Sequence, residues 1–362
     1  MFCSVRIVAL LLACGQAIGA DSGPPPQTSR SPIRVSSELV LVPVSVTDSL
    51  SRPVKDLSID DFRVSEDGQP QQIANMQEPG QSPVELALLI DISGSVASRF
   101  DFEKQAGAEF IRSIAGSQRL ITIFTIGPAP RRVAERSDDP QAVINALMSV
   151  RATPDSTAFY DSVSAAATYL RGVAPPYSRR VEVVISDGED NFSLRYGLSS
   201  ALRELQQADC LFYSINPARS SVSINVMSRR AQGDLRFLAK ETGGEAFLPE
   251  GWSELPYLYG RIAADLRAQY LLAYYPSKAV VADGGYRRIS VTIPKRPELR
   301  VRARQGYFAP TPDIDMTDGT AGGRGAAAGT ESSRADSRST ASFSSSGSTA
   351  GSPAQPHSPA GE

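Results

Sequence analysis

One histidine stands in 362 residues, and it is His357, near the end of the chain. No imidazole is therefore at hand in the folded part for general-base work, for a Ser-His-Asp or Cys-His mechanism, or for a histidine-bearing zinc site. Cysteine is nearly as scarce, at three residues. Cys3 and Cys14 fall in the first 20 residues, which leaves Cys210 alone. It opens an apolar run and reads as a buried small hydrophobe. Disulfide stapling is thereby excluded as a source of stability. Neither sign of charge dominates: 37 Lys and Arg against 39 Asp and Glu give a formal charge of -2. That balance exerts no pull towards nucleic acid. Basic pairs such as Arg131-Arg132, Arg179-Arg180 and Arg229-Arg230 are scattered and read as solvated. A Gly-rich phosphate loop of the P-loop kind is missing. Past the first 20 residues, no apolar run is long enough to span a membrane.

What is present begins with a targeting signal over residues 1–20. Arg6 supplies the positive start and residues 7–13 an apolar centre. Ala17, Gly19 and Ala20 follow as small residues, with cleavage near Gly19 or Ala20. The expected location is secreted or periplasmic. A second reading stays open: Leu11-Leu12-Ala13-Cys14 as a lipoprotein signal. In that reading a lipid on Cys14 is the protein's tie to a membrane. Residues 21–32 are rich in Pro and Ser and read as a linker.

The strongest motif lies further on. Residues 84–90, Val-Glu-Leu-Ala-Leu-Leu-Ile, form an apolar run typical of a buried parallel strand. It ends in Asp91-Ile92-Ser93-Gly94-Ser95. An Asp-x-Ser-x-Ser at that point falls where strand gives way to helix, on the sheet edge where open α/β folds bind ligands. One carboxylate with two neutral hydroxyls is an oxygen-only environment suited to a hard cation, Mg²⁺ or Mn²⁺. Two later segments extend the pattern. Thr153-Pro154-Asp155-Ser156-Thr157-Ala158-Phe159-Tyr160-Asp161 is a loop running into a helix. Val181-Glu182-Val183-Val184-Ile185-Ser186-Asp187-Gly188-Glu189-Asp190-Asn191 is a second buried strand ending in an acidic turn.

In this order the three segments resemble the von Willebrand factor type A domain with its metal-ion-dependent adhesion site. The resemblance implies metal ligands at Asp91, Ser93, Ser95, Thr157 and Asp187. Ser156 departs from the family's usual Gly without removing a ligand. The resemblance also implies a mode of action. A Glu or Asp presented by a protein partner completes the coordination of Mg²⁺ (or Mn²⁺). Asp161 is expected behind the ligands or as a helix cap. Glu189 and Asp190 are expected on the rim of the binding face or in a solvated turn, and Asp155 near the ion.

Around this motif, residues 82–269 alternate strand and helix. Strands centre on Leu88, Ile123, Val184, Phe212 and Phe247, with a short extra one at 131–135. Helical patterns lie at about 100–114, 139–150, 158–171, 197–207, 232–242 and 253–269. The expected fold class is α/β, a doubly wound, mostly parallel sheet flanked by helices. The flanks, 33–80 and 270–310, are β-rich. Gly285–Ile293 and Leu299–Phe308 alternate apolar and polar, as in an antiparallel sheet with one wet face. Neither flank has enough strands to stand alone, so they are expected to join into one β-sandwich carrying the α/β part as an insert. Residues 42–73 and 269–310 also resemble the flanks of a bacterial family of type A-related proteins best known from acidobacteria. Residues 311–362 are rich in Ser, Gly, Ala and Thr and read as disordered.

The expected function is a non-enzymatic, metal-dependent protein-binding module. An enzyme reading, a metal-dependent phosphohydrolase, would need a second carboxylate at the position of Ser93. A third reading is structural: the metal site only stabilises the loops.

Overall fold

The computed structural model describes residues 39–94, 100–116, 118–153, 155–175, 177–217, 226–276 and 284–309. The readings made for residues 1–38, for Ser95 and for residues 310–362 lie outside these.

A six-stranded sheet forms the centre. Its strands are β5 (Val84–Asp91), β6 (Arg119–Ile126), β7 (Arg131–Ser137), β8 (Arg179–Ile185), β9 (Cys210–Ile215) and β10 (Ala246–Phe247). The order is β10-β9-β8-β5-β6-β7, parallel except for the antiparallel edge strand β7. Every residue of β5 is buried, as its apolar run requires of a strand covered on both sides. One face packs α1 (Phe100–Ile114), α2 (Pro140–Ser149) and α6 (Leu255–Ala268) through Phe110, Ile111, Leu147 and Ile262. The other packs α3 (Phe159–Val173), α4 (Leu198–Gln207) and α5 (Val226–Thr242) through Phe159, Val163, Leu205 and Leu235. The chain leaves β5 for β6 on one side and later returns to β8 on the other. The switch point thus falls between the carboxyl ends of β5 and β8, where such sheets open a crevice.

Two four-stranded antiparallel sheets complete the fold. One has the order β13-β1-β11-β4, from β1 (Val40–Thr47), β4 (Ile73–Gln77), β11 (Tyr270–Tyr274) and β13 (Arg300–Ala303). The other has the order β14-β12-β2-β3, from β2 (Arg63–Glu66), β3 (Gln69–Gln71), β12 (Tyr286–Thr292) and β14 (Gly306–Phe308). Strands from before and after the α/β part alternate in the first sheet and meet at the β2–β12 pair in the second. Their apolar faces share one core, with Val42, Val44, Val64, Leu272, Ile289 and Tyr307. The α/β part is therefore inserted in the chain between the two flanks that together build one sandwich.

Three expectations change in detail. The run 299–308 is two strands in two sheets rather than one. Arg304 and Gln305 form the break between them, where the α/β part also holds the chain: Arg304 pairs with Asp209, and the Gln305 N–H donates to the Glu241 carbonyl while its carbonyl accepts the Ile289 N–H of β12. Helix α5 starts at Val226 rather than near 232, with an opening turn that buries nothing. Arg179 is buried, not solvated. It donates to the Leu266 carbonyl at 2.7 Å and to Gln269 Oε1 at 3.0 Å, fixing the end of α6.

Candidate metal centre

Asp91 closes β5 at the middle of the sheet and is 0% exposed. Its Oδ1 accepts the Ser93 N–H at 2.9 Å, which folds the chain back over the strand end. Its Oδ2 accepts the Ser186 hydroxyl at 2.7 Å. Ser186 follows β8, and its hydroxyl oxygen also accepts the Gly188 N–H at 3.0 Å. One hydroxyl thus ties the two central strand ends together. Gly188 has φ +76°, and a Cβ there would lie 2.8 Å from Leu235, so the turn after Asp187 needs glycine. Asp187 accepts the Glu189 N–H at 3.0 Å through Oδ1, while its carbonyl accepts from Asn216 at 3.1 Å.

The third loop is pinned from both sides. The Thr153 N–H donates to the Ile92 carbonyl at 2.7 Å, and the Ala158 N–H to the Gly127 carbonyl at 2.8 Å. Thr157 is buried. Its N–H donates to Asn191 Oδ1 at 2.8 Å, and its carbonyl accepts the N–H groups of Asn191 and Phe192. Asn191 belongs to the turn that begins at Asp187. The strand-end loops carrying Asp91 and Ser93, Thr157, and Asp187 are thus joined by direct hydrogen bonds at one sheet edge.

The surrounding acids divide by role. Asp190 Oδ1 accepts the Phe159 N–H at 2.8 Å and so closes the start of α3. Asp161 does not cap its own helix; it accepts the N–H groups of Leu194, Arg195 and Tyr196 and holds that loop. Glu189 accepts the Ser228 hydroxyl. Asp155 is exposed. Tyr160 and Phe159 pack α3 as expected, and the Tyr160 hydroxyl donates to Asp234 at 2.7 Å.

Electrostatics mark Asp91 as unusual. Burial pushes its carboxyl up, against the lowering effect of the Ser186 and Ser93 hydrogen bonds. No Lys or Arg pairs with it among the described residues. Glu103, in the first turn of α1, was missed by motif reading. Burial first, then the charges of Asp91 and Asp187, push it up to about 9. The signal for it lay in periodicity. Phe100, Glu103, Lys104, Gly107, Ala108 and Ile111 form the buried stripe of α1, so a carboxylate occupies a core-facing position.

The donor chemistry fits a hard divalent cation. Asp91 and Asp187 bring two carboxylates, Ser93 and Thr157 neutral hydroxyls, and no sulfur or imidazole intrudes. Among the described residues, no three acidic or thiol groups are close enough to clamp an ion by themselves.

Residues 86–189 match the model of the von Willebrand factor type A domain, a span that includes all five expected ligands. The chain therefore contains a von Willebrand factor type A domain. Among solved structures, it is similar to a conserved hypothetical protein, BatB, from Bacteroides thetaiotaomicron. That match has 12% identity and a TM-score of 0.40, and covers 50% of this chain and 97% of the other. It is also similar to an aerotolerance-related membrane protein from Bacteroides fragilis, at 15% identity and TM-score 0.40, covering 51% and 98%. A third is proximal thread matrix protein 1 from the mussel byssus, described with a zinc-occupied MIDAS motif. There the identity is 12% and the TM-score 0.44, with 56% of this chain and 49% of the other covered. No curated protein matches the chain.

Proposed function

We propose that this edge binds Mg²⁺ or Mn²⁺ through Asp91, Ser93, Ser95, Thr157 and Asp187, and that the loaded site binds a protein partner through a Glu or Asp of that partner. The observation that carries the reading is Asp91. A carboxylate that is 0% exposed receives only neutral donors, beside a second carboxylate and in a crevice built by the sheet topology. Burying a charge is costly unless it is paired or coordinates a metal.

The protein's share of the work follows from its residues. Asp91 and Asp187 provide two negative charges, and Ser93, Ser95 and Thr157 provide oxygens without charge. A bound divalent ion supplies an electrophilic coordination point that this small protein charge does not quench. Ser186 and Asn191 keep the three loops in register. The proposed role is non-enzymatic: the chain has no histidine in the described fold, and Ser93 stands where a phosphohydrolase would need a carboxylate. The proposed setting is secreted or periplasmic, free or held by a lipid on Cys14. Among the described residues, no helix is long and apolar enough to cross a membrane.

Calorimetric titration of the chain and of Asp91→Ala with Mg²⁺ and Mn²⁺ tests the cation. Binding by the parent and none by the variant is expected. A folded parent that binds neither ion would sink the reading. Partner capture from envelope extract, with and without chelator, then separates a binding module from a purely structural metal. Capture that ignores both chelator and Asp91→Ala would remove the metal from recognition.

A further inference from the structure

We propose that Glu103 is a third carboxylate of this cation edge, placed to hold a water of the bound ion and so to set the site's affinity. The inference rests on the cation reading above.

Glu103 sits in the first turn of α1, the helix that follows the Asp-x-Ser-x-Ser turn. It is 0% exposed, and neither carboxylate oxygen has a hydrogen-bond partner among the described residues. The adjacent cation does not serve it: Lys104 is engaged by Asp101 and by the carbonyls of Met148 and Val150. The charges that act on Glu103 are those of Asp91 and Asp187. Without a cation, this grouping of three buried or half-buried carboxylates is unfavourable.

Other buried polar groups of the α/β part are unmet as well. Thr153 Oγ1 is buried without a partner, on the residue whose N–H holds the Ile92 carbonyl. The Tyr259 hydroxyl is also buried and unmet, and it lies 3.8 Å from where a Cβ on Gly107 would stand, one helical turn from Glu103. A buried water takes two to four polar partners, and the unmet Glu103 carboxyl and Tyr259 hydroxyl are two such groups. Because no three acids clamp one ion directly, Glu103 acts through water. That mode suits Mg²⁺, which usually keeps several of its waters. Groups behind the first ligands typically change metal affinity about 10–100-fold.

The test is Mg²⁺ calorimetry on the chain, Glu103→Gln and Asp91→Ala, with thermal unfolding of each in chelator. Glu103→Gln should weaken Mg²⁺ binding about 10–100-fold and unfold in chelator at or above the parent's temperature. Glu103→Leu should behave alike and covers the case in which the amide disturbs folding. Parent-like Mg²⁺ affinity in either folded variant overturns the role of Glu103 while leaving the cation site standing. Unfolding of both variants well below the parent in chelator would make Glu103 a structural residue and also overturn the proposal. A parent that binds no Mg²⁺ removes both readings together.

Discussion

In the sandwich, Glu66 is buried, and its carboxylate accepts the hydroxyls of Tyr274 at 2.7 Å and Tyr307 at 3.0 Å. In the α/β part, Glu103 and Glu182 are more deeply buried, and none of their oxygens meets a donor among the described residues. Both regions are well packed, so packing does not explain the difference. The sandwich uses its carboxylate as a structural acceptor that joins β2 of the first flank to β11 and β14 of the second. The α/β part keeps two glutamates unmet, and they differ in turn. Glu103 is affected by the charges of Asp91 and Asp187, whereas Glu182 is shifted by burial alone, on the face of β8 shared with Val184. An unmet buried carboxyl points to a site only when other functional groups converge on it.

The contrast can be broken by substitution. Glu66→Leu should have the largest effect on stability, because it strands two hydroxyls. At about 1–3 kcal/mol for each buried group left unmet, a clear loss in urea unfolding is expected. Glu182→Leu should do the reverse. It removes an unmet carboxyl from an apolar layer and should raise stability by about 1–3 kcal/mol, with Mg²⁺ affinity unchanged. A loss of Mg²⁺ affinity there would erase the distinction between Glu182 and Glu103.

The same contrast should also show as a pH slope in chelator. Burial raises both glutamates in the fold, Glu103 from 4.5 to about 9. Between those values the unfolded chain has released protons that the fold retains. Unfolding then releases protons, and stability falls as pH rises. Urea midpoints at about pH 5 and about pH 8 should show this fall. The double variant Glu103→Gln, Glu182→Leu should flatten it, and an unchanged slope would mean that neither glutamate titrates as described.

Much of this fold was legible because burial writes periodicity into sequence. The apolar runs ending at Asp91 and Ile185 could only be central strands, and five of the six helical stripes lie within a few residues of the observed helices. Polar elements were harder to see. Strand β4, Ile-Ala-Asn-Met-Gln, is nowhere fully buried and shows no alternation, so only its pairing with β11 reveals it. The first turn of α5 was missed for the same reason. At the proposed cation edge, the five expected ligands came from motif order and the family resemblance it carries. Glu103 was hidden in Phe-Asp-Phe-Glu-Lys-Gln, which reads as solvated until its place on the apolar stripe is counted. Ser186 was hidden too, since its bond to Asp91 spans 95 residues and no local pattern records it.

The alternation of flanks within the sandwich has a mechanical consequence. Strand β1 lies between β11 and β13, and β2 pairs with β12, so residues from before and after the α/β part are clamped directly to one another. Tension applied across residues 39 and 309 is therefore carried first by those ladders. The α/β part lies outside that shortest path and touches it through Arg304–Asp209 and Gln305–Glu241, so most of the load bypasses Asp91 and Asp187 until the ladders tear.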